Sequence, residues 1–426
     1  MLRGYYGTIV SARLARANVV IGARSHHPDL LCALWLVGGS ETMACCGAGG
    51  GPERLVAEVD LGALRRNVSR VRHLVGSAAD VMAVVKANAY GHGAVEVARA
   101  AIEAGAAALG VATVGEAREL RCAGVKVPIY HLPPCAPEEA AEIVALGVVP
   151  VLSHIHQARA LDAAAKGLGL VAEAHVAVDT GMGRSGVPPS RVRQFVQQVQ
   201  LLPSIRLTGI TTHFPAAESD GPYTRCQIGT FKAAVTAARD AGFSELTRHC
   251  ANSAGLLLYP DARMDMVRPG LLLYGIVPDM PAGEPPLPDF EPVLTLKTRV
   301  LLARAMRAGA SVSYGRTHIL ARDSLVGTLG VGYGDGYPRE LSGKGHALVR
   351  GRRVPILGRV CMDVTMVDLT DVYGARSGDE AVLIGEQGSE RITAVEIARA
   401  IDTTEHDVTT RLTGRVGRRF LGGGGP

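Results

Sequence analysis

The chain has 426 residues, with 45 Lys and Arg against 40 Asp and Glu, giving a formal net charge of +5. At roughly 150 residues per domain, such a length allows about three domain-equivalents, or one large barrel and a smaller partner. A 47% hydrophobic and 20% charged composition excludes a disordered chain. A net charge of +5 over this length is too dilute to argue for nucleic acid as a partner.

The eight cysteines (32, 45, 46, 122, 135, 226, 250 and 361) are scattered, with no Cys-x-x-Cys pair and no His cluster at ligand spacing. That pattern predicts incidental thiols in a reducing compartment, with neither a metal site nor a disulfide framework. The apolar stretch Leu30 to Ser40 is eleven residues long, and a spanning helix needs about 18. The expectation is a cytoplasmic protein with no membrane anchor.

Residues 1–54 lack a sustained helical or strand period and end in the Gly-rich segment 47–52, so they read as a disordered extension that carries the only tryptophan, Trp35. From Val56 the pattern changes. Apolar runs at 56–59, 81–85, 109–111, 127–130, 148–152, 174–178, 205–212 and 246–250 alternate with stretches of helical spacing such as 93–104 and 155–165. About eight strand–helix units predict a (β/α)8 barrel over 55–288, with a doubly wound open sheet as the other arrangement this pattern allows. The Pro-rich break at 278–288 reads as a linker. Beyond it, alternating runs at 293–300, 324–330, 346–357, 364–369 and 380–384, with one helical stretch at 394–401, predict a second, mainly antiparallel β domain over 289–426.

Lys86 closes the run Val81 to Val85, which puts it at the C-terminal end of a barrel strand, where such folds carry their chemistry. A partly desolvated lysine there suits Schiff-base formation; spacing alone leaves open an ordinary lysine reaching solvent. The glycines at 330, 332, 334 and 336 do not make a dinucleotide loop, because no helix opens after them and Pro338 intervenes.

The stretch Val84-Val85-Lys86-Ala87-Asn88-Ala89-Tyr90-Gly91-His92-Gly93 resembles the cofactor-lysine motif of alanine racemases. Further stretches match that family in order: Asp179 to Arg184, Thr212-His213-Phe214, His249 to Ser253, Val267 to Gly270, Ser313-Tyr314-Gly315, Gly332 to Pro338 and Cys361-Met362-Asp363. The resemblance runs from about Val56 to Phe420. It implies pyridoxal 5'-phosphate in Schiff-base linkage to Lys86, and a racemase that interconverts L- and D-alanine by two-base proton transfer to supply peptidoglycan. Lys86 is then the base on one face of the substrate and Tyr314 the base on the other. The resemblance also implies that His213 and Arg268 are the cationic neighbours that tune Tyr314, and that Arg268 faces the pyridine nitrogen.

Phosphate contacts are implied for Tyr90, Ser253 and the amides around Gly270 and Leu271. Arg184 is implied at the cofactor's phenolic oxygen and the substrate carboxylate, and Met362 with Asp363 at the substrate pocket. Tyr314 and Met362 would come from the partner subunit of a homodimer with shared active sites. The chain departs from the family at Ala177, where many members carry a lysine whose carbamate steadies the substrate-binding arginine, and at Gly414, where some offer the phosphate a tyrosine. A racemase for other small amino acids such as serine, a decarboxylase, and a non-catalytic pyridoxal-phosphate carrier are the competing readings. Retention of both Lys86 and Tyr314 argues against the carrier, and Arg268 in place of an acidic partner argues against the decarboxylase.

Overall fold

The structure is a computed structural model that describes residues 53–243, 245–278 and 289–422. The expected extension up to Pro52, Trp35 within it, and the core of the Pro-rich linker lie outside the described residues. The strands up to the linker are β1 (Leu55–Asp60), β2 (Asp80–Val84), β3 (Ala108–Val111), β4 (Ile129–His131), β5 (Val148–Leu152), β6 (Ala172–Ala177), β7 (Ile205–Thr211), β8 (Thr247–His249) and β9 (Met266–Val267). The helices that matter below are α1 (Leu61–Val75), α2 (Ala94–Glu103), α3 (Val114–Cys122) and, near the C-terminus, α4 (Glu405–Thr410).

Eight of these strands form one parallel sheet in the order β8-β7-β6-β5-β4-β3-β2-β9. Its ends meet where the Arg248 amide donates to Asp265 Oδ2 at 2.7 Å and the Arg248 guanidinium grips both Asp265 oxygens at 2.7 and 2.6 Å. The result is the expected (β/α)8-type barrel. Side chains from alternate strands share a layer inside such a ring. Tyr130 of β4, His175 of β6 and His249 of β8 accordingly meet there, with ring centroids 4.8 to 6.2 Å apart.

The second expected layer is also present. Strand β10 (Leu294–Met306) is the spine of a nine-stranded, mainly antiparallel sheet, pairing with Ser324–Leu329, Glu380–Gln387 and β1. Strand β1 departs from the expectation, since the run at 56–59 counts among the barrel strands on pattern alone. It instead runs antiparallel to β10 and parallel to Gly417–Leu421, and the eighth barrel strand is the two-residue β9. The physical reason is Glu58, a charge that a barrel strand buried on both faces would leave unpaired. In the β-domain sheet it meets Lys297 at 2.9 Å and Arg419 at 3.2 Å. Asp60 ends β1 and caps α1 by accepting the Ala63 amide at 2.9 Å, so the chain passes from one layer to the other without a loop.

Helix α1 buries Leu61, Leu64, Val68, Val71 and Val75 along one stripe. Within that stripe lies fully buried Asn67, whose amide donates to Leu273 O (3.1 Å) and Glu291 O (2.8 Å) while its oxygen accepts from Glu291 N (2.9 Å). These bonds tie α1 to both sides of the inter-domain segment. Asn67→Ala strands two carbonyls and an amide, and an unpaired buried group costs about 1–3 kcal/mol. The expected loss is about 3 kcal/mol of unfolding free energy in urea titration; a loss below about 0.5 kcal/mol would contradict this account.

Candidate active site

The peptide after Lys86 leaves β2 through an unusual turn. Ala87, Asn88, Ala89 and Tyr90 all have φ of 52–54°, a left-handed stretch without a glycine that costs roughly 1–2 kcal/mol per residue. Three fixed contacts hold it. Glu116 Oε1 accepts the Ala87 amide at 2.7 Å, Asn88 Oδ1 accepts the Ala94 amide at the start of α2 (2.8 Å), and the Arg418 guanidinium donates twice to Gly91 O (3.2 and 3.1 Å). Glu116 is also the capping-box residue of α3, and its other oxygen accepts from Ala112 N (2.8 Å) and Thr113 N (3.2 Å). One carboxylate therefore clamps three amides from two different strand ends. The Thr113-x-x-Glu116 spacing was the signal for its cap, but nothing in the sequence pointed to its grip on Ala87.

Burial lowers the Lys86 pKa, Arg184 lowers it further, and Glu116 partly opposes both. Tyr90 is pushed up to about 12 by burial, so its hydroxyl stays protonated and can donate. Its ring packs 5.0 Å from Tyr274, whose hydroxyl donates to Val84 O at 2.9 Å and so braces the end of β2.

Ser253 Oγ accepts from Gly270 N (3.1 Å) and Leu272 N (3.4 Å), which leaves its own O–H free to donate. Gly270 N is thereby committed to Ser253, whereas Leu271 N has no acceptor among the described residues. A Cβ at Gly270 would stand 2.7 Å from the Tyr90 oxygen, so glycine is what lets that hydroxyl approach. Tyr90, Ser253 and Leu271 thus offer neutral donors in one cradle that Gly270 makes room for, the kind that suits a phosphate dianion.

Arg268 is buried in the barrel mouth with no carboxylate bonded to it among the described residues. Its Nη1 donates to Thr211 Oγ1 (3.0 Å) and His249 Nδ1 (2.8 Å), and its Nη2 to Thr212 O (2.7 Å), Cys250 O (3.2 Å) and His213 Nδ1 (3.3 Å). Nε has no acceptor among the described residues. Burial lowers its pKa to about 10, so it remains a cation near neutral pH. His213 falls to about 3 through burial and then the nearby Arg268, Arg184 and Lys86 charges. The expected pair of cations behind Tyr314 is therefore one cation, Arg268, and one neutral imidazole. An arginine can only donate, so His213 Nδ1 accepts and its proton sits on Nε2.

Arg184 is exposed and has no hydrogen-bond or ion-pair partner among the described residues. Ala177 ends β6, buried, its carbonyl accepting from Val187 N at 2.8 Å. Tyr314 and Met362 lie apart from this group. Both stand on the β domain, 71% and 52% exposed, and Tyr314 touches no barrel residue through a hydrogen bond or ring contact among the described residues. Tyr314 instead lines an open cleft with Tyr333, Arg339, Arg359 and Val360. Met362 is fixed through its carbonyl, which accepts from Gly334 N at 2.9 Å, and through Asp363, which pairs with Arg415 at 2.6 Å. Among the described residues there is no group of three or more His, Cys, Asp or Glu able to hold a metal ion.

Comparison with known proteins bears on this arrangement. The sequence profile of the alanine racemase N-terminal domain matches residues 59–278, and that of the alanine racemase C-terminal domain matches 293–420. An alanine racemase of Symbiobacterium thermophilum is 45% identical over 368 residues, 86% of this chain and 97% of that protein. The crystal structure of an alanine racemase from Streptomyces lavendulae superposes with a TM-score of 0.82 at 37% identity, covering 88% of this chain and 98% of that one. One from Bartonella henselae, with covalently bound pyridoxal phosphate, superposes with a TM-score of 0.78 at 27% identity, covering 87% of this chain and all of the other. With both family domains matched in order and most of the chain covered at such identity, this protein belongs to the alanine racemase family.

Proposed function

We propose that the protein is an alanine racemase, interconverting L- and D-alanine, with pyridoxal 5'-phosphate as cofactor and Lys86 as its attachment point. The observation that carries the cofactor reading is the junction of a desolvated Lys86 with the cradle of Tyr90, Ser253, Gly270 and Leu271. The residues fit the group. The family is pyridoxal-phosphate-dependent, and the Bartonella henselae relative holds the cofactor covalently. When bound, pyridoxal phosphate supplies an electron-withdrawing ring system that acidifies the α-hydrogen of an attached amino acid.

The chain's own residues do the rest. The Tyr90 and Ser253 hydroxyls and the Leu271 amide would hold the phosphate with neutral hydrogen bonds. Arg268, whose Nη groups are engaged, would have Nε–H left to offer the ring nitrogen, and a cation that keeps its protons would leave that nitrogen unprotonated. The Lys86 amine, its pKa lowered by burial, takes or returns a proton on one face of the α-carbon. The Tyr314 phenol of the partner subunit serves the other face, and the His213 Nε2–H is the donor available to it when it is deprotonated.

Exposure of Tyr314 and Met362 on one chain supports a homodimer in which the β domain of each subunit completes the barrel site of the other. No helix among the described residues is long and apolar enough to cross a membrane. A cytoplasmic enzyme that supplies D-alanine for peptidoglycan fits this reading. The domain reading that goes with it is an extension to about residue 54, a barrel to 288 and a β domain beyond, with β1 lent to the last.

Two departures shape the kinetics. Gly414 faces open space, so no phosphate contact comes from that position. Ala177 offers no carbamate to Arg184, which has no anchor among the described residues, and a loosely held carboxylate-binding arginine raises KM and lowers kcat.

Purified protein with added pyridoxal phosphate should form D-alanine from L-alanine faster than it racemises serine or other amino acids, and Lys86→Ala should abolish this. Faster turnover of another amino acid would move the substrate assignment. A bound cofactor with no product from any amino acid would favour the carrier reading. Ala177→Lys should lower KM and raise kcat, and unchanged kinetics would refute the Arg184 account. Glu116→Ala removes the one carboxylate that raises the Lys86 pKa, so the Lys86 amine should titrate lower still and acylate at lower pH. An upward or absent displacement of that acylation profile would show that Glu116 does not govern the lysine.

A further inference from the structure

Below Arg268 the barrel interior holds two histidines that the reaction as described does not use. Both are buried to within 1% of full enclosure. His249 Nδ1 is 2.8 Å from Arg268 Nη1, and His249 Nε2 is 2.7 Å from His175 Nδ1. The Thr211 hydroxyl closes the same circuit from the side, accepting from Nη1 at 3.0 Å while donating to His249 O at 2.7 Å.

The protons in this chain have one possible arrangement while both rings are neutral. Arg268 can only donate, so His249 Nδ1 accepts. The His249 proton is then on Nε2 and donates to His175 Nδ1, which in turn leaves the His175 proton on Nε2. Neutrality has a plain cause. Burial, with Arg268 adding repulsion, brings His175 to about 3 and His249 well below its ordinary value. A proton added to His249 would turn Nδ1 into a donor facing the guanidinium.

The backbone makes room for this arrangement. A Cβ at Gly209 would lie 2.3 Å from the His175 ring, and on the other side Tyr130 packs against that ring at 4.8 Å. His175 therefore has little freedom to turn.

We propose that His249 and His175 form a one-way hydrogen-bond relay that sets the rotation of the Arg268 guanidinium, so that Nε–H is the group left for the cofactor ring. Both are positioning residues, not catalytic ones, and the proposal rests on the reading of Arg268 given under Proposed function. The two Nη groups are engaged by Thr211, His249, Thr212, Cys250 and His213, and the His249 contact is the one that continues through a second imidazole, His175, deeper in the barrel.

The test begins with 15N-labelled histidine in the purified protein. Both His249 and His175 should show a bare Nδ1 and a protonated Nε2 at neutral pH; a protonated Nδ1 on either would overturn the relay. This measurement does not depend on turnover. If the protein forms no D-alanine, the racemase reading fails while the tautomers still decide the relay.

The second arm separates orientation from packing. His249→Gln keeps an acceptor for Arg268 and a donor for His175, whereas His249→Leu keeps neither. The expected result is an altered absorbance spectrum of the bound cofactor and a kcat lowered by up to about a hundredfold in His249→Leu, with KM little changed and most of both restored in His249→Gln. Equal losses in the two variants, or a His249→Leu enzyme with unaltered spectrum and kcat, would overturn the proposal. Should His249→Leu fail to fold, His175→Phe cuts the relay one step lower and is judged by the same spectrum and rate.

Discussion

The constraint on which the site depends is a buried cation without a counter-ion. Arg268 is enclosed in the barrel mouth, and among the described residues its guanidinium is met only by carbonyls, a hydroxyl and imidazoles. Desolvating a charge without an opposite partner is costly unless its protons are individually satisfied. Here all but Nε–H are. Because every partner must accept, the guanidinium dictates the tautomers of His213 and His249 and, through the latter, of His175. A single arginine thus assigns the proton positions of three histidines, and a carboxylate in its place would have reversed them.

Lys86 is governed by a second constraint, backbone strain. A left-handed turn of four non-glycine residues is unfavourable on its own and persists only where its surroundings over-determine it. Those surroundings come from both layers of the protein. Glu116 belongs to the barrel, while Arg418 reaches in from the β-domain strand Gly417–Leu421. The placement of β1 follows the same logic: it is parallel to that strand, and α1 starts directly from its end. The β domain is therefore structural support for the lysine turn as well as the carrier of Tyr314.

Much of this was legible in the sequence, because periodicity reports burial. Strands buried on both faces read as the apolar runs of the barrel, and half-buried strands as the alternations of the β domain. What was not legible depended on partners distant in sequence. Glu58 gave β1 a polar position whose meaning required Lys297 and Arg419. Ala87 to Tyr90 contain no glycine to signal positive φ. His213 read as a cation because the family resemblance implied it, and burial, together with the Arg268, Arg184 and Lys86 charges around it, is what keeps it neutral. His249 stood inside a recognised motif and His175 inside the apolar run at 174–178, yet their contact links residues 74 positions apart.

Charge accounting joins these threads. Lys86, Arg184 and Arg268 act on one another and on His213 as like charges, and Glu116 is the one carboxylate that opposes them at Lys86. Glu116 is itself committed to three amides, so the pocket keeps an excess of positive charge over its own acidic groups. A site in that condition favours ligands bearing more than one anionic group, such as a phosphate and a carboxylate held at once. It also disfavours any further proton, which adds to the burial that chiefly keeps the histidines around it neutral and lowers the lysine pKa. Binding and proton transfer therefore share one electrostatic influence, added to that of burial: filling the site with anions relieves the repulsion at Lys86, and emptying it restores that repulsion.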